Sequence, residues 1–342
     1  MLSRYVAAYR GLAILAVSLV CTPVLFAQEA GTIDPRIVAV APFLDADAFM
    51  VVHLDLKQLD IRGAVDRLAN LAPEEAKEQV ANVKTMAAVG VQLKNQLAEA
   101  GVAEVFVIAT LGTGGEKPGA FAIVPVEKGK DVAAAKMAIE MIPGVKEEQL
   151  FIHNGYVVAG PPEIKEYVGK IKPATLAPLT DAFKYSGTTA LQVIVLPNKK
   201  LAGIAKKNAP PGLPAELPTA DEVAEDMKAI VITANLPPKP ALAIFGHAKD
   251  EAAAKAAADE VKKLLDSDDA KGFLALPALE KLAPFLRPVQ DGPRFKVVLT
   301  EANGGIEALT TALKVGAEML APLAAQGGVP GLPPGGGNRF PK

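Results

Sequence analysis

Apolar and polar side chains alternate through Phe49-Met-Val-Val-His-Leu-Asp-Leu56, placing Phe49, Val51, His53 and Asp55 on one face. A repeat of two predicts a strand over 49–56 with one side buried. The repeat then lengthens. Val83, Met86, Ala87, Gly90, Leu93 and Leu97 recur at helical spacing between Pro73 and Gly101, predicting a helix over 73–100. Apolar runs over 102–111 and 120–126 predict two strands joined by a Gly-rich loop. Asp131 precedes an alanine-rich stretch through Ile142, and its carboxylate suits the unpaired amides of a first helical turn. Asn154-Gly155 between the runs 150–153 and 156–159 signals a two-residue hairpin, since both residues tolerate positive φ. A helix over 162–171 follows.

The same succession returns. Val105-Phe-Val-Ile-Ala-Thr-Leu111 parallels Ile230-Val-Ile-Thr-Ala-Asn-Leu236, Lys117-Pro118 parallels Lys239-Pro240, and Lys130-Asp-Val-Ala-Ala-Ala-Lys136 parallels Lys249-Asp-Glu-Ala-Ala-Ala-Lys255. Upstream, the run from Val51 can be set against the run from Leu191. Blocks that match in the same order argue for duplication more strongly than one match does. In the second copy the pattern predicts strands over 190–196, 229–236, 241–247 and 294–300. Helices are predicted over 198–207, 218–227, 250–266 and 306–325.

The order β-α-β-β-α-β predicts an α+β chain of tandem duplicated ferredoxin-like (split βαβ) units, with antiparallel sheets covered by helices. The first unit is expected over 45–171, a Pro-containing connection over 172–182 and the second unit over 183–325. Whether two sheets form or one continuous layer is left open by the pattern. The Gly/Pro-rich end, 327–342, lacks the apolar content for a core and reads as disordered.

The N-terminus reads as an address. Arg4 and Arg10 precede the apolar run 11–26, and Ala27 precedes polar sequence, the layout of a signal peptide over 1–27. A retained anchor helix is the competing expectation. Cys21 does not mark a lipid attachment, because Val20 stands before it and the apolar run continues past it. Cleavage after Ala27 would remove the only cysteine, leaving a disulfide-free chain stabilised by packing alone. A periplasmic or secreted location is therefore expected, with membrane contact only if the first segment is kept.

Composition narrows the chemistry. The 342 residues carry 36 Lys+Arg against 38 Asp+Glu, and this balance gives no reason to expect nucleic acid. Beyond the signal only Ser186 and Ser267 remain, neither in a Gly-x-Ser-x-Gly turn, so serine and cysteine acyl transfer are excluded. Gly112-Thr-Gly-Gly-Glu-Lys117 has the wrong spacing for a phosphate loop, and Pro118 stands where Ser or Thr is required. Asp266-Ser-Asp-Asp269 fails as a calcium loop, since Ala270 and Pro277 fall at ligand positions.

Two constellations remain. A ferredoxin-like strand order, 4-1-3-2, would set the first strand beside the fourth and bring His53, Asp55 and His153 together as a candidate metal site. The second copy has Val193 and Val195 in place of His53 and Asp55. An insertion in the second copy carries Phe273, Leu276, Leu279, Leu282 and Leu286 at helical spacing, broken by Pro277 and Pro284. This stripe is expected either to cap the second core or to form an exposed patch for a partner. With no complete catalytic set and no cofactor motif, the sequence points to an exported non-enzymatic binding or scaffolding protein. Its partner would be a protein or a cell-envelope component. A metal-binding protein or metal-dependent enzyme is the alternative.

Overall fold

The computed structural model describes residues 34–71, 77–111, 119–208, 218–236, 239–267 and 280–312. The expected signal segment, the Gly-rich loop 112–118, Phe273, Leu276, Leu279 and the tail 327–342 lie outside these residues.

Helix α1 (Pro35–Val40) and a 3-10 turn (Ala41–Phe43) lead into β1 (Ala48–Asp55). Helices α2 (Ile61–Leu71) and α3 (Lys77–Glu99) precede the strands β2 (Glu104–Thr110) and β3 (Gly119–Pro125). Helix α4 (Val132–Glu140), β4 (Leu150–His153), β5 (Tyr156–Ala159) and α5 (Pro162–Val168) complete the first half. The second half runs through α6 (Ala177–Ser186), β6 (Leu191–Val195), α7 (Lys199–Asn208) and α8 (Ala220–Asp226). It continues with β7 (Met227–Asn235), β8 (Ala241–Ala248), α9 (Glu251–Asp266), β9 (Val289–Asp291) and β10 (Arg294–Thr300). A helical stretch, 305–312, follows.

The chain is mixed α+β, and the ten strands among the described residues form one antiparallel sheet in the order β4-β5-β3-β2-β1-β6-β7-β8-β10-β9. The order reads alike from either end, mirrored at a seam where β1 pairs with β6. The ferredoxin-like strand order is not adopted. A split βαβ unit returns the chain through one crossover helix and delivers a parallel strand. Here β1 and β2 are joined through two helices, as are β6 and β7, so the chain re-enters from the other end and pairs antiparallel. The fourth and fifth strands of each half then lie far from its first.

Several local expectations are met by local causes. Asp131 Oδ1 accepts from Ala133 N at 2.8 Å, and Asp250 Oδ1 from Ala253 N at 2.8 Å, so both alanine-rich helices start on a carboxylate cap. Asn154 and Gly155 adopt φ of 49° and 80°, closing the β4–β5 hairpin. The segment 172–182 is not wholly a connection: its last residues are the first turns of α6, whose Pro178 sits where a helix needs no amide proton.

Alternation divides the side chains between two faces. One, the seam face, carries Val51, Phe106, Ile108, Phe121, Ile123, Ile194 and Val231 under α1, α5 and α6, with Phe43, Leu179 and Phe183 filling the middle. Each such buried aliphatic or aromatic side chain stabilises the fold by about 1.5–3 kcal/mol. On the opposite face each half has its own core, and Met227, Ala248, Ala253 and Ala254 form a smaller cluster beside that of the second half. Leu97, Val102, Ala135, Ile139 and Leu150 pack below α4. Ile244, Leu265, Leu282, Leu286, Val297, Leu299 and Ile306 pack below α9 and 305–312. Leu282 and Leu286 are thus core residues, 2% and 3% exposed, and their part of the stripe caps the second half. Between the two cores Arg67 Nη1 of α2 reaches Glu301 Oε1 at 2.7 Å. No helix among the described residues is long and apolar enough to cross a membrane.

Candidate functional site

The seam face contains a run of polar residues that an apolar core would not need. It starts at Asp34, which caps α1 ahead of Pro35, a helix-starting pair. Asp34 Oδ1 accepts from Arg36 N and Arg36 Nε, both at 2.9 Å, and Oδ2 accepts from Arg36 Nη2 at 2.6 Å. The guanidinium goes on to the end of α6, where Nη2 donates to Phe183 O at 2.8 Å and Nη1 to Gly187 O at 2.5 Å. Nη1 also donates to Gln192 Oε1 on β6 at 2.9 Å. All five guanidinium donors are therefore engaged. A cation is well placed there, because the last carbonyls of a helix carry its negative end. The guanidinium also lies over the Phe183 ring, 4.8 Å from its centroid.

Gly187 makes this end possible. Its φ of 61° and ψ of −154° belong to a region that only glycine enters readily, and they turn its carbonyl toward both Arg36 and Gln192. Gln192 Nε2 donates to that carbonyl at 2.8 Å, which fixes the amide orientation and aims Oε1 at His53 Nδ1, 3.1 Å away. Since Oε1 has only lone pairs to offer, Nδ1 of His53 carries a proton. The ring stacks on Phe106, with centroids 4.6 Å apart and planes 23° apart. Its Nε2 lies 3.3 Å from Glu104 Oε2 and is not aligned as a hydrogen bond. His53 is 3% exposed and Gln192 is fully buried.

Burial raises the Asp34 carboxyl, but the bonds and charge of Arg36 outweigh it and hold the group below its ordinary range. The cluster therefore works as a charged tie. It fastens α1 to the last turn of α6 and clamps β1 to β6 at the seam.

The sequence-derived trio is not assembled. His53 is central, whereas His153 ends β4, with β2, β3 and β5 between the two strands. Four strand spacings separate β1 from β4, about 19 Å. His153 lies edge-on to Phe43, centroids 5.9 Å apart, and its Nε2 faces Asn154 Nδ2 at 3.1 Å. Asp55 is occupied locally: Oδ1 accepts from Lys57 N at 2.9 Å and Oδ2 from Gln58 Nε2 at 2.6 Å. Among the described residues no group of three or more His, Cys, Asp or Glu is placed to hold a metal ion. Of the trio only His53 belongs to the buried cluster. Asp34, Arg36, Glu104 and Gln192 escaped the sequence reading, although Asp34-Pro35 is a helix-start signal and Gln192 interrupts an otherwise apolar strand.

No protein-family model matches the chain, and no curated protein matches it. Two solved structures of TP0453 are similar in outline. Crystal form III aligns at 10% identity and a TM-score of 0.34, covering 80% of this chain and 97% of that one. Crystal form I aligns at 9% identity and a TM-score of 0.35, covering 84% and 99%. A likeness this slight carries no argument about function.

Proposed function

We propose that the chain is an exported, non-enzymatic binding or scaffolding protein whose halves descend from one duplicated α+β unit. The observation that carries this reading is the seam cluster. Its Arg36 donors and both Asp34 oxygens are spent on one another and on backbone carbonyls, which suits a locked frame rather than a reaction centre. Duplication is supported by the matching sequence blocks and the mirrored strand order. Export is supported by the basic, apolar and small-residue layout of residues 1–27. A protein or another cell-envelope component is the partner this reading implies.

Two measurements test it. N-terminal sequencing of the product recovered outside the cytoplasm should begin at Gln28, and an intact Met1 would remove the cleaved-export part. A panel of hydrolase substrates should give no turnover with the purified chain. Turnover that His53→Gln abolishes would overturn the scaffold reading.

A further inference from the structure

A second polar group lies on the seam face, in the outer part of the second half. Arg294 opens β10 and sits directly opposite His247 of β8, so both side chains leave the sheet on the same side. There they meet Tyr185 of α6. The Arg294 guanidinium lies over the Tyr185 ring, 4.0 Å from its centroid, and the His247 ring meets the same ring edge-on with centroids 5.6 Å apart.

Unlike Arg36, Arg294 has no carboxylate or carbonyl partner among the described residues. Its Nε is buried and unbonded, and so is His247 Nδ1, on a residue only 7% exposed. Asp291, directly across on β9, is exposed and makes no ion pair with it. Lys296 is two residues further along β10 and therefore on the same face. Burial lowers the pKa of His247; Asp181 works against this, and Lys228 and Arg294 add to it. A neutral imidazole still offers one N–H.

An arginine stacked on an aromatic ring is held flat, with the edge formed by its two Nη groups presented in the plane of the guanidinium. That edge matches the two oxygens of a carboxylate or phosphate group. We propose that Tyr185, His247 and Arg294 form an oxyanion site, in which a carboxylate or phosphate meets the two Nη groups of Arg294, the donors of this cation that are neither sealed from solvent nor bonded. Lys296 supplies further positive charge, and Asp181 and Asp291 set an acidic border that disfavours highly charged ligands. The proposal deepens the binding reading by naming a ligand class, and it rests on that reading in taking the chain to have a ligand.

The test titrates the purified full chain with sodium phosphate, sodium acetate and sodium chloride at matched ionic strength, following melting temperature and heat of binding. Phosphate, acetate or both should raise the melting temperature saturably, since a ligand that prefers the native state stabilises it. Chloride should not. Response to phosphate alone assigns a phosphate ligand, and response to acetate alone a carboxylate. Arg294→Gln should abolish the response. Arg294→Lys keeps the charge but loses the planar fork, and should weaken binding at least about tenfold. If Arg294→Gln does not fold by circular dichroism, Arg294→Lys serves as the readout. Asp291→Asn should tighten binding several-fold, and Lys200→Gln, on α7 away from the site, should leave it unchanged. Overturning results are no saturable response beyond chloride, or a response equal in the parent chain and the folded Arg294 variants. Neither would touch the scaffold reading, which turnover tests separately.

Discussion

The two halves share a strand order and differ in their covering. In the first half the chain leaves β5 and turns back onto the seam face, where α5 inserts Ile164 and Val168 beside Phe121 and Val158. In the second half the chain leaves β10 and crosses to the opposite face, where Ile306 and Ala308 join Ile244 and Leu299. The outer seam face of the first half is consequently an apolar interior. In the second half, among the described helices, α6 comes closest to that region, and the polar trio of Tyr185, His247 and Arg294 lies there instead. Strand order alone therefore does not determine a surface. The direction taken by one terminal helix decides whether the same sheet position becomes core or contact.

The contrast between the two arginines gives the largest expected effect. Arg36→Ala should destabilise the fold by about 3–5 kcal/mol in chemical denaturation, because it strands the Asp34 carboxylate in the interior. Arg294→Ala, with no ion pair to break, should cost clearly less. Equal costs would remove the distinction between a tied and an untied cation.

A smaller effect separates two glycines, Gly246 within β8 and Gly160 just after β5. A Cβ on Gly246 would lie 2.2 Å from the Phe295 ring, which covers that glycine from the neighbouring strand. Gly246→Ala should therefore cost about 1–3 kcal/mol. Gly160→Ala meets Ile164 and Phe121 at 3.1 Å and should be milder. Reversal of that ranking by thermal melts would show the second half to be the looser one.

The caps should behave alike. Asp131→Ala and Asp250→Ala each remove a first-turn acceptor, and each should lower stability by about 1 kcal/mol. A several-fold difference would show that α4 and α9 depend unequally on their starts.

The pH dependence is smallest near neutrality and grows in acid. The pKa of His247 is lower in the fold than its unfolded value of 6.5, so its contribution is complete above that value and fades as pH falls through the folded pKa. Asp34 is also lowered, from 3.8, so its contribution is lost only in stronger acid. Denaturation midpoints should therefore decline in two windows. His247→Phe should flatten the upper window and leave the lower one, and a single window in the parent chain would contradict the assignment.

Much of this was legible one element at a time. The Asn154-Gly155 turn, the Asp131 and Asp250 caps and the alternation around His53 all follow from residues a few positions apart. Strand neighbours do not, because a period of two assigns a face and says nothing of which strand lies alongside. The missed helix α2 makes the β1–β2 connection a two-helix one, which brings β2 back as the neighbour of β1 instead of leaving another strand between them. Helix α6 was hidden by Pro173 and Pro178, read as marks of a connection, although a proline in a first turn is compatible with a helix. Strand β9 is only three residues long, too short for a periodic signal. The seam cluster was the least accessible part, since Arg36 and Gln192 are 156 positions apart and meet only when β1 and β6 pair.

The mirrored order also places short strands, β4 with four residues and β9 with three, at the two rims. A rim that brief offers an incoming chain few main-chain donors and acceptors, so edge-to-edge stacking into fibrils finds little purchase. The protein can in this way carry a wide β layer and still remain a discrete particle.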